Sequence, residues 1–395
     1  MTPSPPVLTG LDVLQREGCP RLHELRVGLV THPAAVNRDL QHASQVLADV
    51  PGVSLGALFG PEHGLMGEAQ DLIGVRDGGD PSARLPVHSL YGDSFESLSP
   101  TAPQLRGLEA LVIDLQDVGS RYYTFQATML LCLEAASKHQ LLTVVLDRPN
   151  PLGGLAVEGR SLQPGFASFV GIHPIAIRHG MTIAELARLY KSERGLTGEL
   201  LVIPCQGWRR DMDFEQTGLP WVLPSPNMPT LDAAYVYPGQ CLIEGTNLSE
   251  GRGTTRPFEL CGAPWIDSRK ACERLRGEAL PGVVFRPAWF RPTFHKFAGQ
   301  TCGGLQIHLR DRHAFQPVRT GLAILAALRD LSGSHFAWRR EPYEFVTDRL
   351  AIDLLFGSDR ERLALEAGHT PGEIARAWEA EEHAFRKRRQ AFLLY

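Results

Sequence analysis

Most of the signatures that announce a chemistry are missing from this chain of 395 residues, and each absence narrows its function. No GxGxxG follows the first apolar run, so the dinucleotide fingerprint is lacking. There is no Walker A loop, no HExxH zinc helix and no GxSxG nucleophile elbow closing a strand. The seven cysteines are scattered without a CxxC, which gives neither a disulfide framework nor a zinc site. A metal held by His32, His63 and Asp117 has no supporting spacing, so no metal and no cofactor are expected. A net charge of −4 with no polybasic run excludes nucleic acid and a charged membrane surface as partners. No apolar stretch is long enough to span a bilayer. Residues 1–6 lack the basic and apolar regions of a signal peptide, so a cytoplasmic protein is expected; an N-terminal truncation would look the same.

What is present is an ordinary globular composition, 43% hydrophobic and 21% charged, in a chain long enough for two domains. Apolar runs at 26–31, 53–59, 108–115, 141–146 and 200–204 read as strands. Helical patterns at 11–19, 39–47, 124–139 and 182–193 lie before or between them, the last with Thr182 and Glu185 in capping-box spacing. Residues 64–93 read as one long loop. This alternation predicts an α/β fold, a Rossmann-like doubly wound parallel sheet. Prolines around 224–229 mark a junction, giving a catalytic domain over 1–229 and a smaller α+β auxiliary domain over 230–395. In the second part a strand is expected near 304–309 and a helix over 320–331. A charged helix over 371–389 is expected to present a solvated outer face.

Polar clusters follow the strands: His32, then Glu62 with His63, Asp117 with Arg121, and Asp147 with Arg148 and Asn150. In open α/β sheets ligands bind at the carboxyl ends of strands, so four such clusters on one edge describe a pocket. The Glu62–His63 pair on a Gly-rich turn is placed for proton transfer. Carboxylates, arginines, tyrosines, asparagines and tryptophans together suit a carbohydrate, especially an acidic sugar.

FGPEHG, SLYG (89–92), DLQDVGSRYYTF (114–125), DRPNPLGG (147–154), RHGMT (178–182), PSPNMPT (224–230) and EGTNLSEGRGTTRPFE (244–259) occur in this order. With them the chain resembles the exo-β-N-acetylmuramidase family typified by NamZ, over nearly its whole length. The resemblance implies a Rossmann-like domain, a smaller auxiliary domain and a cleft between them. It also implies release of N-acetylmuramic acid from the non-reducing end of peptidoglycan fragments, hence a muramyl saccharide as partner. It carries the family's proposed catalytic glutamate onto Glu62, which would act as general acid with a pKa raised by burial or a neighbouring anion.

His63 then orients Glu62 or binds substrate. Asp117 is either the second carboxylate or a loop brace paired with Arg121, with Glu244, Glu250 and Glu259 in reserve. Arg121, Arg148 and Arg252 are candidates for the lactyl carboxylate, each with an internal ion pair as the alternative. Tyr122 and Tyr123 are expected to point opposite ways, one to the cleft and one to the core. Asn150, Asn227 and Asn247 suit hydroxyl or acetamide recognition, and are equally ordinary turn residues. Another hexosaminidase specificity and a non-catalytic muropeptide-binding protein are the competing readings. Oligomeric state is not legible.

Overall fold

A computed structural model describes residues 6–70, 72–75, 77 and 85–395. Six strands form one sheet: β1 (Arg26–Val30), β2 (Ser54–Gly60), β3 (Val87–Ser89), β4 (Ala110–Ile113), β5 (Leu142–Leu146) and β6 (Leu200–Ile203). Their order is β3-β2-β1-β4-β5-β6, and every pairing is parallel. The chain winds outward from β1 to one edge, returns to β4 and winds to the other, which is the doubly wound arrangement. Direction reverses between β1 and β4.

Strands β4 and β5 are buried at every position, which explains their continuous apolar sequence. Successive side chains still alternate between faces. Leu111, Ile113 and Val145 pack with helices Phe125–Lys138 and Ile183–Glu193, while Ala110, Val112 and Val144 pack with Gly10–Glu17 and Ala43–Asp49. The Thr182–Glu185 capping box forms, with Thr182 N donating to Glu185 Oε2 at 3.0 Å and Glu185 N to Thr182 Oγ1 at 3.3 Å. The region expected to be one loop over 64–93 contains β3, whose residues pair with Leu58, Phe59 and Gly60; residues 71, 76 and 78–84 lie outside the described set. Ser54 sits in a GxSxG spacing, yet it opens β2 instead of standing on an elbow, so it is no nucleophile site.

A second, antiparallel sheet has β7 (Leu260–Ala263), β8 (Val283–Phe290) and β9 (Cys302–Leu309) in the order β7-β9-β8. Helices Leu231–Gln240 and Pro317–Ser332 cross at Gly239 and Gly321. A Cβ on Gly239 would lie 2.0 Å from Pro317 O, so only glycine permits this approach. The segment expected as one solvated helix over 371–389 is two helices, Pro371–Arg376 and Glu379–Arg389. It is a clasp. Trp378 and Phe385 are buried, and Arg389 donates to His179 O at 2.7 Å and Gly180 O at 2.6 Å. One apolar cluster runs from Val30 and Phe59 through to Leu355 and Trp378, so the two parts share a core. No helix among the described residues is long and apolar enough to cross a membrane.

Candidate active site

β2 ends at Gly60, and the chain turns back on itself at once. A Cβ on Gly60 would meet Leu65 N at 2.5 Å, so the return of the loop requires glycine there. Pro61 O accepts from Gly64 N at 3.0 Å, closing a turn with Glu62 and His63 at its centre. His63 takes φ 74°, a left-handed position that costs a non-glycine residue on the order of 1–2 kcal/mol. The imidazole is fixed by Nδ1–H donation to Ala69 O at 2.8 Å. Glu62 is 5% exposed, and its hydrogen bond is from Thr124 Oγ1 to Oε2, 2.6 Å.

Glu62 and His63 line a cavity closed by both parts of the chain. From the first part come Tyr122, Tyr123, Thr124, Ser225 and Asn227. From the second come Tyr237, Glu244, Arg252, Phe258, Tyr343 and Glu344. Edge-to-face aromatic contacts build one wall: Tyr122 and Tyr123 each pack on Tyr237 at 5.8 Å, and Tyr237 packs on Phe258 at 4.9 Å. The Arg252 guanidinium lies 5.0 Å over the Phe258 ring. Both tyrosines of the 122–123 pair face the cavity, against the expectation of one in and one out, because the segment is a turn and not an extended strand. Their hydroxyls differ. Tyr122 donates to Pro238 O, whereas the Tyr123 hydroxyl, beside Ser225, makes no well-formed hydrogen bond. Burial, with the Asp117 and Glu62 charges, holds the Tyr123 phenol well above its usual range, so it stays a donor.

Arg252 donates through Nη2 to Glu244 Oε1 at 2.7 Å, and the Tyr343 hydroxyl donates to Glu244 Oε2 at 2.8 Å. Behind Arg252 the fully buried Glu250 faces Lys296 at 2.9 Å, His295 at 3.3 Å and Arg252 Nε at 3.5 Å. Burial alone would raise Glu250, but Lys296, His295 and Arg252 outweigh it and hold the carboxyl low. Glu259 is a brace, accepting from Thr230 Oγ1 at 2.8 Å and Arg256 at 3.2 Å.

Other sequence candidates are not in the cavity. Arg148 forks onto Asp114 at 2.5 and 2.9 Å, and Arg121 donates to the carbonyls of Arg160, Ile175 and Leu355 at 2.7, 3.0 and 2.8 Å. Both are buried, and neither lines the cavity that holds Glu62. Asp117 Oδ2 accepts from Gly119 N at 2.6 Å and lies 3.3 Å from His179 Nε2; it does not pair with Arg121. Asn150 is an internal clip between Met181 O and Leu152 N, both 2.9 Å, and Asn247 one between His335 O and Ala337 N, 2.8 and 3.0 Å. His32 accepts from Gln116 N at 2.9 Å and donates to Pro224 O at 3.3 Å, so it ties the switch-point loop to the Ser225–Asn227 segment. Both its nitrogens are engaged, and no cluster of three His, Cys, Asp or Glu among the described residues could hold a metal ion. No tryptophan lines the cavity. Thr124, Ser225, Tyr237, Tyr343 and Glu344 join the cavity beyond the residues expected from the sequence; Thr124 and Ser225 stand inside the motifs, while nothing local in the sequence marks Glu344.

Residues 27–232 and 235–395 match the N-terminal and C-terminal parts of the family described as exo-β-N-acetylmuramidase NamZ. The chain is 44% identical over 391 residues to the peptidoglycan β-N-acetylmuramidase NamZ of Bacillus subtilis (strain 168), covering 99% of this chain and 92% of that protein. It is similar to a crystal structure of a DUF1343 family protein from Bacteroides fragilis, with a TM-score of 0.87, 32% identity, and 98% and 99% of the two chains covered. A second DUF1343 family structure from that organism gives a TM-score of 0.77 at 28% identity over the same shares. The chain therefore belongs to the exo-β-N-acetylmuramidase NamZ family of glycoside hydrolases, in both of its parts.

Proposed function

We propose that this enzyme releases N-acetylmuramic acid from the non-reducing end of peptidoglycan fragments, with Glu62 as the general acid. The carrying observation is the place of Glu62: buried, on a strained turn at the carboxyl edge of β2, in a cavity walled by both parts of the chain. Its partner there is the neutral Thr124 hydroxyl, which donates to a carboxylate and accepts from a carboxylic acid. The proton can leave and return without breaking that contact. The family match and the peptidoglycan β-N-acetylmuramidase activity of the Bacillus subtilis relative support the substrate class.

Of the three arginines considered for the lactyl carboxylate, Arg252 lines the cavity, so that role falls to it. Asn227, which donates to Gln70 Oε1 at 2.7 Å, Ser225 and the Tyr123 hydroxyl supply groups for sugar hydroxyls and the acetamide. The test is hydrolysis of β-glycosides of N-acetylmuramic acid and N-acetylglucosamine whose leaving alcohol needs a proton, by wild type and Glu62→Gln. Release from the muramic substrate alone is expected, with turnover in the variant down by about 10²–10⁴. Full turnover by Glu62→Gln would remove the acid assignment, and preference for the glucosamine substrate would remove the lactyl role of Arg252.

A further inference from the structure

We infer that Glu244 is the second functional carboxylate of this site and takes up the proton shed by the group that attacks the anomeric carbon. The inference rests on the glycosidase reading above and adds a residue to it. Four carboxylates were open for the role: Asp117, Glu244, Glu250 and Glu259. Asp117 lies outside the cavity with Oδ2 on Gly119 N and near His179, Glu250 is sealed among Lys296, His295 and Arg252, and Glu259 braces Thr230 and Arg256. Glu244 alone of the four shares the cavity with Glu62, and it arrives from the other part of the chain.

Its support is rigid. It stands on the turn Cys241–Gly245, buried at every residue and continuous with helix Leu231–Gln240. Gly245 is packed so closely that a Cβ there would lie 2.8 Å from Ile352. One donor holds each carboxylate oxygen, Arg252 Nη2 on Oε1 and Tyr343 Oη on Oε2. An ionised carboxylate has about four acceptor sites, so two contacts fix its plane and leave acceptor capacity. The pair is thus asymmetric: Glu62 meets a neutral hydroxyl and Glu244 a cation. Two carboxyls in such different surroundings divide into acid and base. Glu344, the third carboxylate on the cavity, accepts from Tyr91 Oη at 3.2 Å and sits at φ 48° on an irregular loop, a poorer mount for proton transfer.

The step balances. Glu62 gives its proton to the glycosidic oxygen as the C1–O bond breaks, and the bond electrons stay on that oxygen. If water attacks C1 directly, its oxygen forms the new bond and its proton goes to Glu244. If the substrate's acetamide oxygen attacks first, the nitrogen proton goes to Glu244; water then attacks C1 and gives its proton to the Glu62 carboxylate, while the ring opens and the nitrogen recovers its proton from Glu244.

The experiment compares Glu62→Gln and Glu244→Gln on two N-acetylmuramic glycosides, one leaving as 4-methylumbelliferone and one as 2,4-dinitrophenol. Dinitrophenolate departs without a proton, so Glu62→Gln is expected to recover on that substrate. Glu244→Gln is expected to stay down in kcat by about 10²–10⁴ on both. Tyr343→Phe, which leaves Glu244 in place, is expected to move the acid-side limb of the kcat profile to higher pH; it provides the readout if Glu244→Gln does not fold, and an unmoved limb then overturns the assignment. Near-wild-type turnover in Glu244→Gln, or its recovery with dinitrophenol, overturns the assignment. So does finding the leaving-group-independent loss in Glu344→Gln instead. In each of these cases an inactive Glu62→Gln on the methylumbelliferyl substrate keeps the glycosidase reading.

Discussion

Tyr395, the last residue, offers the clearest test of how the two parts are held together. Its hydroxyl donates to Asp147 Oδ2 at 2.6 Å and accepts from Cys205 N at 2.7 Å, while its ring packs edge-on against Trp208 at 4.9 Å. Tyr395→Phe keeps the ring and removes only the two hydrogen bonds. The stranded Cys205 N–H costs about 1–3 kcal/mol, and the lost donor to Asp147 about 1 kcal/mol when that carboxyl is neutral and 1.5–3 kcal/mol when it is charged. Burial pushes Asp147 up to about 7, with Tyr395, Ala184 N and Thr182 pulling back. The folded value lies above the ordinary 3.8, so the native state holds an extra proton between. That contribution to stability is fully present below about pH 4 and is lost as pH rises through about 7. The variant lacks one of the donors that pull the value down, so its loss extends to higher pH. Destabilisation is therefore expected at about pH 5 and about 1–2 kcal/mol larger at about pH 9, read from urea midpoints, with kcat on the muramic substrate unchanged at both. An equal cost at the two pH values would refute the Tyr395–Asp147 coupling, and no cost at either would refute the anchor.

Arg148→Met leaves Asp114 charged and buried, so a loss of about 3–5 kcal/mol in stability with unchanged KM is expected; a raised KM in a fully stable variant would return Arg148 to the substrate. Gly245→Ala drives a Cβ to within 2.8 Å of Ile352, and an unfolding cost of about 1–3 kcal/mol should accompany lowered kcat as Glu244 shifts. His32 is held well below 6.5 by burial and by the Arg148 charge. Its stability contribution is present above about 6.5 and lost as pH falls, and its ring nitrogen signals should stay in the neutral form as pH falls through about 6.5; titration near 6.5 would contradict the Gln116–His32–Pro224 bridge.

The parallel sheet was legible because its strands are buried on both faces and read as unbroken apolar runs. Glu62 was legible because a charged residue directly after such a run, between Pro and Gly, has few places to go but the carboxyl edge. β3 was not, since three half-buried residues, Val87-His88-Ser89, carry no periodicity and owe their state to pairing with β2. The C-terminal clasp was misread for a related reason. Its charges look like a solvated face, yet Arg160 pairs with Glu361 and Glu381, Gly159 N donates to Glu382, and Arg386 donates to Val157 O. Each partner lies more than 200 residues away in sequence.

The arginines show why strand-end position is only half an argument. Arg148 and Arg252 both stand in loops of charged and small residues, and both meet a carboxylate. What separates them is where the carboxylate stands. Asp114 follows β4 and lies inside the sheet layer, so its pair with Arg148 closes on itself and spends the fork internally. Glu244 reaches the cavity from the other part of the chain, so its pair with Arg252 is presented to whatever enters. That distinction needs the second part to be docked, and no local pattern encodes it. The backbone tells the same story from another side. His63, Leu72, Phe258 and Glu344 all hold positive φ and all line the one cavity. Glycine would have advertised such positions in the sequence. Larger side chains occupy them instead, at a cost on the order of 1–3 kcal/mol each, so the surrounding fold must impose a conformation that the residues themselves disfavour. A site assembled this way is least visible where its geometry is most constrained.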